Sequence, residues 1–226
     1  MPPYIETCIQ SMRRCCGSAF VLVTPETLQD FISKDCLHPR FNQIDDLAIK
    51  VDCIRTALLA EHGGFWWDAD TVGFRDPMFL LADDPECVYA TWTREPLRVL
   101  NGYIYMRRGT DYASEWLSRV NARLDDDRPI VWAELGEGIL TELVHSQPGC
   151  FRVPLDTFLP IDIDSNVEEF FSHSDPLLHI TKNTVCYGLN NSWFNYWKNQ
   201  EMNVLPSDWA TSPILLHRLL CIARDR

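Results

Sequence analysis

Two carboxylates one residue apart, Asp68 and Asp70, follow a short apolar run and are well placed to bind a metal ion. Side chains at positions i and i+2 of an extended chain project to the same side, so both can point at one cation. Hard cations such as Mn²⁺ and Mg²⁺ prefer oxygen ligands and often complete their coordination with phosphate oxygens. The spacing therefore predicts a divalent-metal site that receives a phosphorylated substrate. Because an isolated Asp-x-Asp also occurs in solvated turns, the preceding sequence has to be considered.

The segment before this motif predicts a helix over residues 45–61 that leads into a strand at residues 65–67. Its apolar residues recur at spacings of four, three and four on one stripe: Leu47, Val51, Ile54 and Leu58. This spacing is typical of the buried face of an amphipathic helix. Asp45 and Asp46 lie where N-cap and first-turn acids are favoured, and Gly63 is suited to the C-terminal cap.

Asp52 and Arg55 lie three residues apart on a flank of the predicted helix, off the apolar stripe. One interpretation is an ordinary surface ion pair, which stabilises a helix by about 0.3 kcal/mol. The other is that this flank lines a cleft beside the metal, so that both side chains reach a bound nucleotide. The spacing alone leaves both interpretations open.

Residues 46–70 resemble the signature of sugar-nucleotide glycosyltransferases, namely the capsular-polysaccharide-synthesis and related DXD families of GT-A fold. The resemblance rests on a helical Asp-x-x-Arg, a Gly-Gly pair and the Asp-x-Asp: Asp52, Arg55, Gly63, Gly64, Asp68 and Asp70. It implies a metal-dependent glycosyltransferase of hexosyl type, with Mn²⁺ or Mg²⁺ as cofactor. Such an enzyme moves a sugar from a nucleotide-diphosphate sugar, with a UDP-sugar as the favoured donor, to a hydroxyl of a glycan acceptor.

The resemblance and the alternation of strands with helices imply an α/β fold. We expect a single GT-A, Rossmann-like domain over residues 1–226, with a mostly parallel central sheet flanked by helices. Its nucleotide-sugar half would span about residues 1–106 and its acceptor half about residues 107–226. An apolar run at residues 19–23 predicts one of the strands. One module of a longer protein is an alternative to a complete enzyme.

The resemblance also implies a role for each residue of the signature. Asp70 is expected to be a direct metal ligand, and Asp68 to contact the metal, its waters or the ribose. Asp52 and Arg55 are expected to bind the nucleotide or the donor sugar. A diphosphate entering a protein of net charge −12 needs a cation, which supports the predicted metal.

Metal coordination would be completed from the C-terminal region by Asn190 and Ser192, because amide and hydroxyl oxygens suit a hard ion. Trp193 is a candidate to cover the diphosphate, with core packing as the alternative for Ser192 and Trp193. Asn101 is a candidate contact to the donor sugar or the acceptor, although a polar strand end explains it nearly as well.

A catalytic base would take the proton of the acceptor hydroxyl. Glu134 and Glu137 lie at the start of a helix predicted over residues 132–146, whose N-terminus could face the cleft. Acidic residues are also favoured in the first turn of any helix, and this simpler interpretation ranks ahead of a catalytic one.

The composition limits the partners and the compartment. The net charge of −12 argues against nucleic acid as a partner, since nucleic acid requires a basic surface. The sequence has neither an apolar run of membrane-spanning length nor a signal-peptide pattern. The nine cysteines lack paired Cys-x-x-Cys units, which favours reduced thiols in a cytoplasmic compartment. Peripheral association with a membrane stays open.

Two other functions fit part of the pattern. A haloacid-dehalogenase-type phosphatase uses an Asp-x-Asp-x-Thr/Val motif after an apolar strand, as residues 68–72 do. Such an enzyme also needs a later lysine, and none lies between residues 70 and 127. A non-catalytic nucleotide-sugar or glycan-binding module is the other alternative, and it would bind nucleotide without turnover.

Overall fold

The computed structural model describes residues 3–146, 149–162, 167–190 and 209–225, which contain helices and strands in a mixed α/β arrangement. The helices are α1 (Pro3–Cys16), α2 (Leu28–Phe31), α3 (Leu47–His62), α4 (Asp111–Asp125), α5 (Ile139–Ser146) and α6 (Leu215–Asp225). The strands are β1 (Gly64–Trp67), β2 (Thr71–Gly73), β3 (Cys87–Thr91), β4 (Val99–Met106), β5 (Cys150–Arg152) and β6 (Cys186–Gly188). The chain forms two compact units, each built from separate stretches of sequence.

The first unit comprises Met1–Leu22, Asp68–Leu81 and Pro154–Arg226. Its two-stranded sheet pairs β2 with β6 in antiparallel register, with Val72 opposite Tyr187. Helix α1 packs against β2 and against α6, and the Ser11 hydroxyl accepts a 2.9 Å hydrogen bond from the Gly73 N–H. The first unit therefore supports the chain that immediately follows Asp68 and Asp70.

The second unit comprises Val23–Trp67 and Ala82–Val153. It contains a four-stranded sheet in the order β1-β4-β3-β5, and α3 packs against α4, which packs against α5. The core of this unit is centred on the buried side chains of Trp116, Ile104 and Leu140. The Trp116 indole N–H donates a 2.8 Å hydrogen bond to the Leu135 carbonyl, so the largest core side chain also has its polar group satisfied.

The four-stranded sheet is mixed, and the expectation of a mostly parallel sheet is wrong. β4 pairs antiparallel with both β1 and β3, whereas β3 and β5 are parallel. The reason lies in the connection between β3 and β4, residues 92–98, which is too short for a crossover helix and permits an antiparallel neighbour. The division of the chain near residue 106 stays a prediction.

The strand predicted at residues 19–23 is also wrong. A 3₁₀ turn at Gly17–Ala19 ends at the first residue of this segment, and the chain that follows is irregular. Val21 and Leu22 are exposed, Val21 at 56%, whereas Phe20 and Val23 are partly buried without pairing to another strand. An apolar run predicts burial, but pairing with another strand is decided by the rest of the fold.

The predicted helix before the Asp-x-Asp motif is confirmed as α3, together with both of its caps. The Asp46 carboxylate accepts hydrogen bonds from the Ala48 N–H at 2.8 Å and the Ile49 N–H at 3.2 Å. At the other end, Gly63 adopts a φ of 67° and donates to the Leu59 carbonyl. These contacts satisfy backbone groups that a helix end leaves without partners.

The buried face of α3 differs from the predicted apolar stripe. Leu47 is 73% exposed, and Ile54 and Leu58 are only partly buried. The residues that are fully buried include Cys53 and Thr56, on the side that also carries Asp52 and Arg55: Ile49, Asp52, Cys53, Arg55, Thr56, Ala57 and Leu59. Periodicity identified the helix correctly, but the predicted apolar stripe is not its buried face.

Gly63 gives a direct test of the junction between α3 and β1. A Cβ atom on Gly63 would lie 2.5 Å from the Arg108 backbone nitrogen and 2.8 Å from the Met106 carbonyl oxygen. We expect Gly63→Ala to lower the free energy of unfolding by about 3 kcal/mol, because positive φ and backbone overlap both oppose it. Urea denaturation followed by circular dichroism measures this change.

Gly109→Ala is the matched control, since Gly109 has a φ of 76° but no atom within 4 Å of an added Cβ. It should cost only the conformational penalty of about 1 kcal/mol. Equal losses in the two variants would contradict the close approach of the chain at Gly63.

Candidate functional site

A buried polar cluster in the second unit is centred on Asp52. The Arg55 guanidinium donates to Asp52 Oδ1 at 3.0 Å, and the Asn101 amide donates to the same oxygen at 2.8 Å. The side chains of Arg55 and Asp52 are only 4% and 9% exposed, so the interpretation as an ordinary surface ion pair is wrong. Helix α3 and strand β4 thus bring together three residues that were predicted to bind the donor.

The Arg55 side of this pair has a further contact. The guanidinium carbon of Arg55 lies 5.1 Å from the centre of the Trp66 ring, within the range of a cation–π interaction. The Thr56 hydroxyl donates a 2.7 Å hydrogen bond to the backbone carbonyl of Asp52, one turn earlier in α3, and not to the Asp52 carboxylate. Removing charged groups from water costs several kcal/mol per ion unless such partners replace the lost hydration. The pair thus meets part of this cost through its own hydrogen bond and through the Trp66 ring.

Gly136 closes this cluster from the other side. It lies in a π-helical turn, Glu134–Gly138, that precedes α5. A Cβ atom on Gly136 would lie 2.5 Å from Asp52 Oδ1 and even closer to the Asn101 amide nitrogen. Only a glycine lets the backbone approach this closely. Sequence reasoning missed Gly136, although a glycine inside a predicted helix is a signal of close packing.

Glu137 is buried in the same turn and has a partner at each carboxylate oxygen. The Trp92 indole N–H donates to Oε2 at 3.0 Å, and the Arg98 guanidinium lies 2.7 Å from Oε1. The link between Glu137 and Trp92 was not found from the sequence, because the residues are 45 positions apart in the chain. The role of Glu137 as a base stays a prediction.

Glu134, the other candidate base, is held in a two-pronged ion pair. Arg123 donates to its carboxylate from Nε at 2.6 Å and from Nη2 at 3.1 Å, and the Val131 N–H adds a third hydrogen bond. The hydrogen bonds from Arg123 lower the pKa of Glu134 below its ordinary range. Since a general base works best with a pKa near the operating pH, this arrangement favours a structural role for Glu134.

The Asp-x-Asp motif forms the turn between β1 and β2, and Asp68 and Asp70 are half-buried there. The backbone of β6 continues past its last paired residue, so that the Leu189 N–H donates a 3.0 Å hydrogen bond to the Asp70 carbonyl. In this antiparallel register the following residue, Asn190, comes next to the turn. Of the predicted metal ligands, Ser192 lies outside the described residues, as does the neighbouring Trp193.

The side chain of Asn190 helps to decide whether Asp68, Asp70 and Asn190 could bind a metal ion. Asn190 has a φ of 50°, and its amide nitrogen is buried without a hydrogen-bond partner among the described residues. The two ends of an amide are assigned from their partners, and a flipped amide would present its oxygen instead. Two carboxylates and one amide oxygen are the ligand types that Mg²⁺ and Mn²⁺ accept, so the residues fit.

Asp70 affects two ionisable side chains of helix α1, Tyr4 and Cys8. Burial first, and then the negative charge of Asp70, raise the pKa of the Tyr4 hydroxyl and of the Cys8 thiol. Both groups therefore stay neutral at neutral pH. Within the described ranges, no group of three or more acidic, cysteine or histidine side chains could hold a metal ion. A bound ion would thus need oxygens from other sources, such as a substrate.

Residues 1–91 match the family model described as capsular polysaccharide synthesis protein. The matched region contains α1, α3 and the Asp-x-Asp turn, and it includes both Asp52 and Arg55. It covers less than half of the 226 residues. No curated protein and no solved structure gives a significant match. Within the portion of the chain that the structure describes, no helix is both long and apolar enough to cross a membrane.

The close contact between Gly136 and Asp52 can be tested with two glycines of the same π-helical turn. We expect Gly136→Ala to lower the free energy of unfolding by about 3 kcal/mol, because the new methyl group displaces Asp52 and Asn101 from each other. Gly138→Ala is the matched control, since its Cβ would meet nothing closer than 3.4 Å. The control should change stability by less than about 1 kcal/mol. Similar chemical-denaturation curves for the two variants would contradict the packing at Gly136.

The ion pair between Arg123 and Glu134 predicts a pH-dependent contribution to stability. Because the pKa of Glu134 is lowered in the folded protein, the pair stabilises the fold above the ordinary pKa of 4.5. This contribution is lost as the pH falls through the lowered value. We expect wild type to exceed Glu134→Gln in unfolding free energy at neutral pH, and the difference to shrink in acid.

Urea denaturation between about pH 3 and pH 7 measures this difference. The control is Glu115→Gln, which removes an exposed pair with Arg119 and should cost less at neutral pH. A cost of Glu134→Gln that stays constant across the range would contradict the prediction.

Proposed function

We propose that this chain is a metal-dependent glycosyltransferase that moves a sugar from a nucleotide-diphosphate sugar to a hydroxyl of a glycan acceptor. The observation that carries the proposal is the family match over residues 1–91, because it includes the buried Asp52–Arg55 pair and the Asp68–Asp70 turn. A UDP-sugar is the proposed donor class. The GT-A fold is proposed from the Asp-x-Asp motif alone. The mixed strand directions of the four-stranded sheet give no support to this assignment.

Asp52, Arg55 and Asn101 are proposed to bind the nucleotide or the donor sugar. Asp52 Oδ1 already accepts hydrogen bonds from both neighbours, at 3.0 Å and 2.8 Å, which orients all three groups before a ligand arrives. Such preorganisation reduces the cost of binding. The close packing of Gly136 against Asp52 restricts their movement further.

Asp68, Asp70 and Asn190 are proposed to hold Mn²⁺ or Mg²⁺. When bound, such an ion neutralises the charge that develops on the leaving diphosphate as the glycosidic bond breaks. The protein contributes oxygen ligands on a turn that is fixed by the pairing of β2 with β6 and by the hydrogen bond from Leu189 to Asp70. Because the protein carries a net charge of −12, a diphosphate would otherwise be repelled.

Glu137 is the proposed base for the acceptor hydroxyl in preference to Glu134. Glu134 is committed to Arg123 by two hydrogen bonds that lower its pKa. The Glu137 carboxylate accepts a hydrogen bond from the Trp92 indole and pairs with Arg98, whose side chain is 48% exposed. A partner that is half in solvent can be displaced by substrate more easily than a buried one.

The proposal is tested first by calorimetric titration of UDP, GDP and dTDP and of their sugars, with Mn²⁺ and with EDTA. We expect one nucleotide to bind in a metal-dependent manner, and Asp70→Asn to weaken this binding by about tenfold or more. Asp127→Asn is the control, because Asp127 is fully exposed and lies outside the proposed site. Its affinity should equal that of wild type.

Release of nucleoside diphosphate from the bound donor then separates an enzyme from its alternatives. Metal-dependent binding without any release of sugar would support a non-catalytic binding module instead. Absence of nucleotide binding, together with release of phosphate from a phosphomonoester, would overturn the proposal in favour of a phosphatase. Equal binding by wild type and Asp70→Asn would overturn the metal assignment alone.

A further inference from the structure

Two cysteines occupy neighbouring positions at one edge of the four-stranded sheet. Cys87 begins β3 and Cys150 begins β5, and they are direct partners in the parallel pairing of these strands. Neighbouring strands lie about 4.8 Å apart, and disulfides join Cα atoms that are about 4.4–6.8 Å apart. Both thiols are free in the structure. The backbone therefore places them within bonding range without a change of register.

The two thiols differ in exposure. Cys87 is completely buried within the core of the second unit. Cys150 is only partly buried, and β5 is the edge strand of its sheet, with a neighbour on one side alone. An oxidant from solvent can thus reach Cys150 more easily than it can reach Cys87.

The two thiols also differ in acidity. A hydrogen bond from the Cys87 thiol lowers the pKa of Cys150 below 9.0. Burial opposes this shift, and a hydrogen bond from the Tyr112 hydroxyl adds to it. The same contact and burial raise the pKa of Cys87. Burial raises the pKa of other thiols too, including those of Cys36 and Cys53. Since the thiolate is the nucleophile, Cys150 is suited to react first.

We propose that Cys87 and Cys150 form a redox-active dithiol, which a small disulfide oxidant such as oxidised glutathione converts into an intrachain disulfide. The Cys150 thiolate attacks one sulfur of the oxidant, forms a mixed disulfide and expels a glutathione thiolate, which takes up a proton. The Cys87 thiol then loses its proton and attacks the Cys150 sulfur. This second step forms the Cys87–Cys150 bond and releases the second glutathione.

Two electrons pass from the two cysteines to one glutathione disulfide, which leaves as two thiols. Burial of Cys87 does not prevent the second step, because its target sulfur already lies beside it on the neighbouring strand. The inference is independent of the proposed glycosyl transfer, since none of the residues assigned to the donor, the metal or the base takes part.

The test treats the folded protein with oxidised glutathione, alkylates the remaining thiols and maps the peptides by mass spectrometry without reduction. We expect a peptide pair joined through Cys87 and Cys150 to be the first disulfide to appear, and dithiothreitol to reverse it. This measurement needs no variant, so its outcome does not depend on whether a substitution folds. A first disulfide between any other pair would overturn the proposal.

Two variants test the order of the steps. Cys87→Ser should stop the reaction at one glutathione bound to Cys150, and Cys150→Ser should lower the rate of glutathione uptake by about tenfold or more. Cys36→Ser is the matched control, and it should form the Cys87–Cys150 disulfide at the wild-type rate. Circular dichroism checks that each variant is folded. Uptake by Cys150→Ser at the wild-type rate would contradict Cys150 as the reacting thiol.

Discussion

Burial of the Asp52–Arg55 ion pair is the constraint on which the second unit depends. Two charges removed from water cost several kcal/mol each unless hydrogen bonds and an opposite charge replace their hydration. Three separate elements meet this requirement: α3 supplies the pair, β4 supplies the Asn101 amide, and the π-helical turn brings Gly136 against Asp52. The positions of these elements are therefore linked, because a shift of any one would expose or orphan a charge.

The elements of the fold were largely predictable, whereas their arrangement was not. Local signals located α3, since Asp46 and Gly63 cap its ends through short-range hydrogen bonds. The direction of β4 depends on which strands lie beside it, and no residue within β4 encodes this. The exposed Val21 shows the same limit, because an apolar run reports a preference for burial and not the presence of a partner strand.

The candidate site, like the fold, was predictable only in part. The pattern of charges identified Asp52 and Arg55, but it could not show that they are buried, because periodicity treats a charged flank as exposed. Gly136 has no side chain to signal its role. Glu137 meets Trp92 only through the folded sheet. The sequence thus singled out side chains as candidates, but it did not show the contacts that only the folded chain makes.

The interleaving of the two units along the chain has a consequence for how the protein is made. The second unit needs residues up to Val153, and the first unit needs residues beyond Pro154, so neither has all its parts early in synthesis. The portion that matches the family model ends at residue 91, before β4, β5 and β6. A nascent chain of that length would expose its unpaired strands, and folding by distant contacts is correspondingly slow. The first unit therefore has all its parts only after the last third of the chain has been made, whereas the second unit has all its parts once Val153 is made.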